Sequence, residues 1–154
     1  VSAALNATRI IKTKEEILRC VMEEVIHFNT DRMKAALEEA ADVREKLLAL
    51  IRSELLSING ETGEAMAVLI YEWRSLKPES QRYILTLREH YEQLWLTTLD
   101  QAKQAGLVQA HVDTFILRRF LTGALSWSNY WYKPQGALTL DQLADQALAL
   151  IVKN

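Results

Sequence analysis

Thr139-Leu140-Asp141-Gln142-Leu143-Ala144-Asp145-Gln146-Ala147-Leu148-Ala149-Leu150-Ile151 closes the chain with two local signals that agree. Thr139 and Gln142 have the S/T-x-x-E/Q form, in which the hydroxyl accepts from the N3 amide and the N3 side chain reaches back to the cap amide. Behind that cap, Leu140, Leu143, Ala144, Ala147, Leu148 and Ile151 recur at the i, i+3, i+4, i+7, i+8, i+11 spacing of an amphipathic helix. Capped helix is therefore the unit in which the rest of the chain is read.

Working back from it, the Lys133-Pro134-Gln135-Gly136 turn separates this helix from one capped by Asp113. The apolar positions of that helix (Phe115, Ile116, Phe120, Leu121, Ala124, Leu125, Trp127, Trp131) spread round more than half the cylinder, which predicts cover on two sides. Pro78 suits the first position of a long helix running to Gly106, about 28 residues or about 42 Å. It carries Ile84, Leu87, Tyr91, Leu94, Trp95, Thr98 and Ala102. Before it, Thr62 is the expected cap of a short helix bearing Met66, Leu69, Ile70 and Trp73, stopped at Lys77-Pro78. Asp42 opens a helix with Val43, Leu47, Leu50, Ile51, Leu55 and Ile58, for which Asn59-Gly60 supplies the left-handed stop. Thr13-Lys14-Glu15-Glu16 is a second capping box, followed by Leu18, Val21, Met22, Val25 and Phe28 on a helix reaching about Glu39. The fold class is all-α, with six helices and no internal repeat.

Composition is consistent with one domain: 154 residues, 49% hydrophobic and 25% charged. A net charge of -2 excludes a basic nucleic-acid footprint within these residues, so DNA contacts must come from elsewhere. The single cysteine, Cys20, forms no internal bridge, which points to a reducing, cytoplasmic setting. No apolar run is long enough to span a bilayer, and no membrane role is expected.

Two features bear on function. The last two helices are the most apolar, and little chain remains to cover them. Paired with a second copy they would make a four-helix bundle about a two-fold axis, with Gly123, Ala124, Ala144 and Ala147 allowing close approach. Ordinary intrachain core is the alternative. The second feature is the cluster of Trp73, Tyr83, Tyr91, Trp95, Phe120, Trp127, Tyr130 and Trp131 on the third to fifth helices. Such residues pack cores, and they also line pockets for mostly apolar ligands. Arg74, Arg82, Arg88, Arg118 and Arg119 are on the same helices and suit a carboxylate or phosphate.

Enzymatic chemistry finds no constellation. A di-iron bundle needs two Glu-x-x-His motifs, and only Glu24-Val25-Ile26-His27 fits. His90 and His111 stand too far off for a zinc motif, and glycine-rich phosphate loops and nucleophile elbows are lacking. No cofactor is expected.

Gly123-Ala124-Leu125-Ser126-Trp127, Trp131-Tyr132-Lys133-Pro134-Gln135-Gly136-Ala137-Leu138 and Leu143-Ala144 together resemble the carboxy-terminal signature of TetR-family transcriptional regulators, in the subgroup that represses fatty-acid and sterol catabolism. Lys12-Thr13-Lys14-Glu15-Glu16-Ile17-Leu18 is similar to that family's entry into its fourth helix, and Tyr71-Glu72-Trp73-Arg74-Ser75-Leu76 before Pro78 to its sixth-to-seventh helix junction. The resemblance implies an effector-binding domain over residues 13–154 whose last two helices form a four-helix-bundle homodimer interface. It also implies an apolar or acyl-CoA-type effector. Residues 1–12 then read as a remnant or linker of an absent helix-turn-helix unit, through which alone DNA would be bound. On that basis Met66, Leu69, Trp73, Arg88, Tyr91, Trp95, Phe120 and Trp127 are the expected ligand-binding residues, with Arg88 holding an anionic end. Phe115, Leu121, Leu125, Trp131, Leu140, Leu143, Ala147 and Ile151 are the expected dimer interface. The rival reading is a helical protein-protein interaction module without a ligand cavity.

Overall fold

The computed structural model describes residues 13–154; the remnant or linker read at residues 1–12 lies outside the described residues. Six α-helices follow one another: α1 (Lys14–Glu39), α2 (Val43–Asn59), α3 (Gly63–Glu72), α4 (Pro78–Gln104), α5 (Thr114–Trp127) and α6 (Leu140–Ile151). Single 3-10 turns extend α3 at Trp73–Ser75 and α5 at Ser128–Tyr130.

The helix starts follow from side chains one step outside them. Thr13 accepts from the Glu16 amide at 3.2 Å while the Glu16 carboxylate accepts from the Thr13 amide at 2.9 Å, and Thr139 and Gln142 form the same reciprocal pair at 3.1 and 2.9 Å. Asp42 accepts from the Glu45 amide, and Asp113 from those of Phe115 and Ile116. Pro78 opens α4, and Gly106, at φ +78°, takes the left-handed position just past its end.

Two junctions differ from expectation. Gly60 ends α2 in an extended conformation (φ -97°, ψ -152°), not a left-handed one. A glycine is still required, because a Cβ there would lie 2.6 Å from the Leu56 carbonyl oxygen. Thr62 makes no capping bond to α3; its hydroxyl donates instead to the Ser57 carbonyl at 2.8 Å, closing the end of α2.

α2 is the central post, packed against all five other helices. Its Leu47, Leu50, Ile51 and Leu55 are fully buried with Trp95 and Leu99 of α4 and Ala144 of α6. A second cluster joins Met22 and Ile26 of α1 to Leu69, Leu76 and Ile84. The buried face of α1 is rotated from the expected one: Met22, Val25, Ile26, Asn29, Thr30 and Met33 point inward, while Val21 and Phe28 are exposed. Among the described residues no helix is long and apolar enough to cross a membrane.

The terminal pair takes part of its cover from its own chain. Leu140, Leu143, Ala147 and Ile151 are half-buried against the chain's own core, as α5 and α6 both lie on α2. Leu121 and Leu125 are buried in that core too. Only Phe115 and Trp131 of the expected interface set face outward, each about half exposed. The outward apolar stripe of α5 runs instead through Ile116, Phe120 and Trp127 to Tyr130 and Trp131, with Phe120 76% and Trp127 62% exposed.

Candidate functional site

The buried stripe of α2 includes one charged residue. Glu54 sits one turn beyond Leu50 and Ile51, at 5% exposure. Its Oε2 accepts the Tyr91 phenol proton from α4. Burial disfavours the carboxylate and pushes its pKa up to about 7, against the opposing influence of the Arg88 charge, the Trp95 indole N–H and the Arg118 charge. Arg118 of α5 is itself buried and pairs with Glu92 at 3.7 Å. Arg88 makes no direct ion pair among the described residues, and its charge acts on the Glu54 carboxyl through space.

Around Glu54 the helices leave a recess made of hollows that share lining residues. An inner chamber of about 30 Å³ is lined by Ile26, Asn29, Glu54, Ser57, Met66, Arg88 and Tyr91. A groove of about 300 Å³, walled by Ile58, Met66, Leu69, Ile70, Trp73 and Ser126, shares Glu54, Met66 and Arg88 with it. A further hollow of about 70 Å³ is lined by Met66, Ile70, Tyr71 and Tyr130 among others. Larger depressions of about 600 and 560 Å³ on the flanks of α1 are open and rimmed by charged side chains such as Glu38, Lys46, Arg32 and Glu39. The Glu54 recess combines apolar walls with a few convergent polar groups, the pattern of small-molecule sites.

Of the expected ligand-binding residues, the structure brings Met66, Leu69, Trp73, Arg88 and Tyr91 to this recess. It places the other three elsewhere. Trp95 is fully buried in the main core, at the back of Glu54. Phe120 and Trp127 stand on the outer surface of α5, where Trp127 packs on Tyr130 with ring centroids 4.4 Å apart.

Sequence reasoning missed Glu54, Asn29 and Ser57. The signal for the first was present: with Leu47, Leu50, Ile51, Leu55 and Ile58 on one face, Glu54 occupies the i+7 position of the stripe. Asn29 likewise interrupts the inward face that runs from Met22 through Ile26 to Met33. A polar residue inside an apolar stripe is the informative exception. No group of three or more His, Cys, Asp and Glu side chains among the described residues is placed to hold a metal.

Helices gathered round a part-polar recess, with a second apolar face turned outward, define a binding domain. Residues 40–154 match the family described as tetracyclin repressor-like, C-terminal domain. The chain belongs to this TetR family, a family of transcriptional regulators and not of enzymes. It is similar to the HTH-type transcriptional repressor KstR2 of Mycolicibacterium smegmatis, with 25% identity over 92% of this chain and 69% of that protein. The crystal structure of the superantigen PfiT is 57% identical and superposes with a TM-score of 0.85, over 97% of this chain and 78% of that one. AibR in complex with isovaleryl coenzyme A and operator DNA shares the fold, with 24% identity and a TM-score of 0.78 over 92% of this chain and 76% of that one.

Proposed function

We propose that residues 13–154 are the effector-sensing and dimerisation unit of a TetR-like repressor, and that the recess beside Glu54 takes an apolar or acyl-CoA-type effector. The observation that carries this reading is the recess itself: the apolar wall from Ile58 to Trp73 leads to Arg88, a cation without an ion-pair partner among the described residues. Met66, Leu69, Trp73 and Tyr91 would line the site, and Arg88 would hold a carbonyl or anionic oxygen. The isovaleryl coenzyme A bound by AibR supports the ligand class. An effector that fits one arrangement of the helices better than another shifts the population by that difference in affinity.

A homodimer through the outer face of α5 belongs to the same proposal. Phe120, Trp127 and Trp131, exposed along one stripe, are the kind of aromatic anchor that dominates interfaces. DNA would be engaged only by an amino-terminal unit outside the described residues, and the working compartment would be the cytoplasm.

A protein-binding module without an effector is the second reading. It is favoured by the 57% identity to the superantigen PfiT and by the small volume of the inner chamber, about 30 Å³. Thermal denaturation with a panel of acyl-CoA thioesters separates the two. At a hundredfold excess over Kd an effector should stabilise by about 2.7 kcal/mol. A flat response across the panel supports the second reading.

A further inference from the structure

The inner chamber is polar in a way that an alkyl chain end does not require. Asn29 of α1 is 5% exposed, and its Oδ1 accepts from Arg32 Nη2 at 2.9 Å. Arginine only donates, so the carboxamide atom it meets must be the oxygen, and the amide NH2 is left without that partner. That nitrogen finds no acceptor in the protein. The same chamber is lined by the Glu54 carboxyl, with Oε2 taken by Tyr91, and by Ser57, whose hydroxyl proton goes to the Glu54 carbonyl at 2.7 Å. The chamber thus brings an unmet amide donor, the Glu54 carboxyl and the Arg88 guanidinium together round about 30 Å³, room for one or two water-sized groups.

We propose that this chamber is a subsite for a neutral hydroxyl carried on the leading end of an otherwise apolar effector, its oxygen accepting from Asn29 Nδ2 and its proton given to the Glu54 carboxyl. A hydroxyl donates and accepts at once, so it can meet the Asn29 amide together with the Glu54 carboxyl in either protonation state. A methyl end leaves Asn29 unsatisfied in a buried site, and a carboxylate end sets a second acid beside Glu54 with Arg88 shared between them. The inference rests on the effector reading above and specifies which effectors the site selects.

Calorimetric titration of the 154-residue chain with octanoyl-CoA, ω-hydroxyoctanoyl-CoA and the CoA thioester of octanedioic acid tests it. The hydroxylated ligand should bind about tenfold or more tighter than either of the others. The advantage over octanoyl-CoA should fall to near unity in Asn29→Leu. In the unaltered protein, the Asn29 side-chain amide resonances should move on binding the hydroxylated ligand and not the parent, a readout that needs no variant to fold. Equal affinity of all three, or preference for the dicarboxylate, overturns the hydroxyl subsite while leaving effector sensing intact. Failure of all three to bind overturns both.

Discussion

One face of α2 serves two neighbourhoods of opposite chemistry. Toward α4 and α6, Leu47, Leu50, Ile51 and Leu55 are sealed against Leu99, Ala144 and Leu148. Toward α1 and α3, the same helix buries Glu54 and Ser57 beside Asn29, with Arg88 and Tyr91 closing the space. The first arrangement is what apolar burial favours, at about 25 cal/mol per Å². The second runs against it, since a carboxyl and an unmatched amide both lose hydration. On the proposed reading, one side of α2 supplies stability and the other recognises the effector.

The largest expected effect breaks the comparison on its apolar side. Leu50→Ala removes a fully buried side chain and should destabilise by about 3–5 kcal/mol, without altering the slope of stability against pH. Urea unfolding at several pH values checks both parts. A loss near 1 kcal/mol would mean that this side is loosely packed after all.

The next sharpens the polar side. Because the folded-state pKa of Glu54 is raised from 4.5 to about 7, the folded protein holds the proton where the unfolded chain has released it. Stability should therefore fall as pH rises from about 4.5 to about 7, by about 3 kcal/mol from this group, and level off above. Glu54→Gln keeps an acceptor for the Tyr91 phenol and cannot ionise, so the slope should vanish and stability at about pH 8 should rise. Parallel unfolding curves of the two proteins across the window decide it.

Both sides of this contrast were unequally legible in the sequence. Helix starts were readable because a cap is a matter of three or four adjacent residues: Thr13, Asp42, Asp113 and Thr139 each bond an amide within their own first turn. The end of α2 was less so. Gly60 is fixed by the approach of the Leu56 carbonyl, and Thr62 turns back to Ser57, choices made by chain path rather than by propensity. The recess was half legible: Met66, Leu69 and Trp73 follow a helical stripe, but Glu54 and Tyr91, 37 residues apart, meet only through packing of α2 on α4. Aromatic content alone did not separate Trp95, sealed in the core, from Phe120 and Trp127, which face outward.

That outward face of α5 supplies the smallest expected effect on folding, and it tests the comparison from outside. Phe120 and Trp127 contribute little to either side of α2, so Phe120→Ala with Trp127→Ala should change the folding free energy of the isolated subunit by no more than about 0.5 kcal/mol each. If the stripe joins two copies, the same pair of changes should weaken association strongly, since exposed aromatics of this kind cost about 2 kcal/mol or more each when truncated in an interface. Sedimentation at tens of micromolar should then show the unaltered chain as a dimer and the double variant as a monomer. A monomer in both cases removes the homodimer and leaves this face to a different protein. A dimer in both moves the interface to the half-buried stripe of α6, where Leu140, Leu143, Ala147 and Ile151 already pack on the core of their own subunit and would have to serve both surfaces at once.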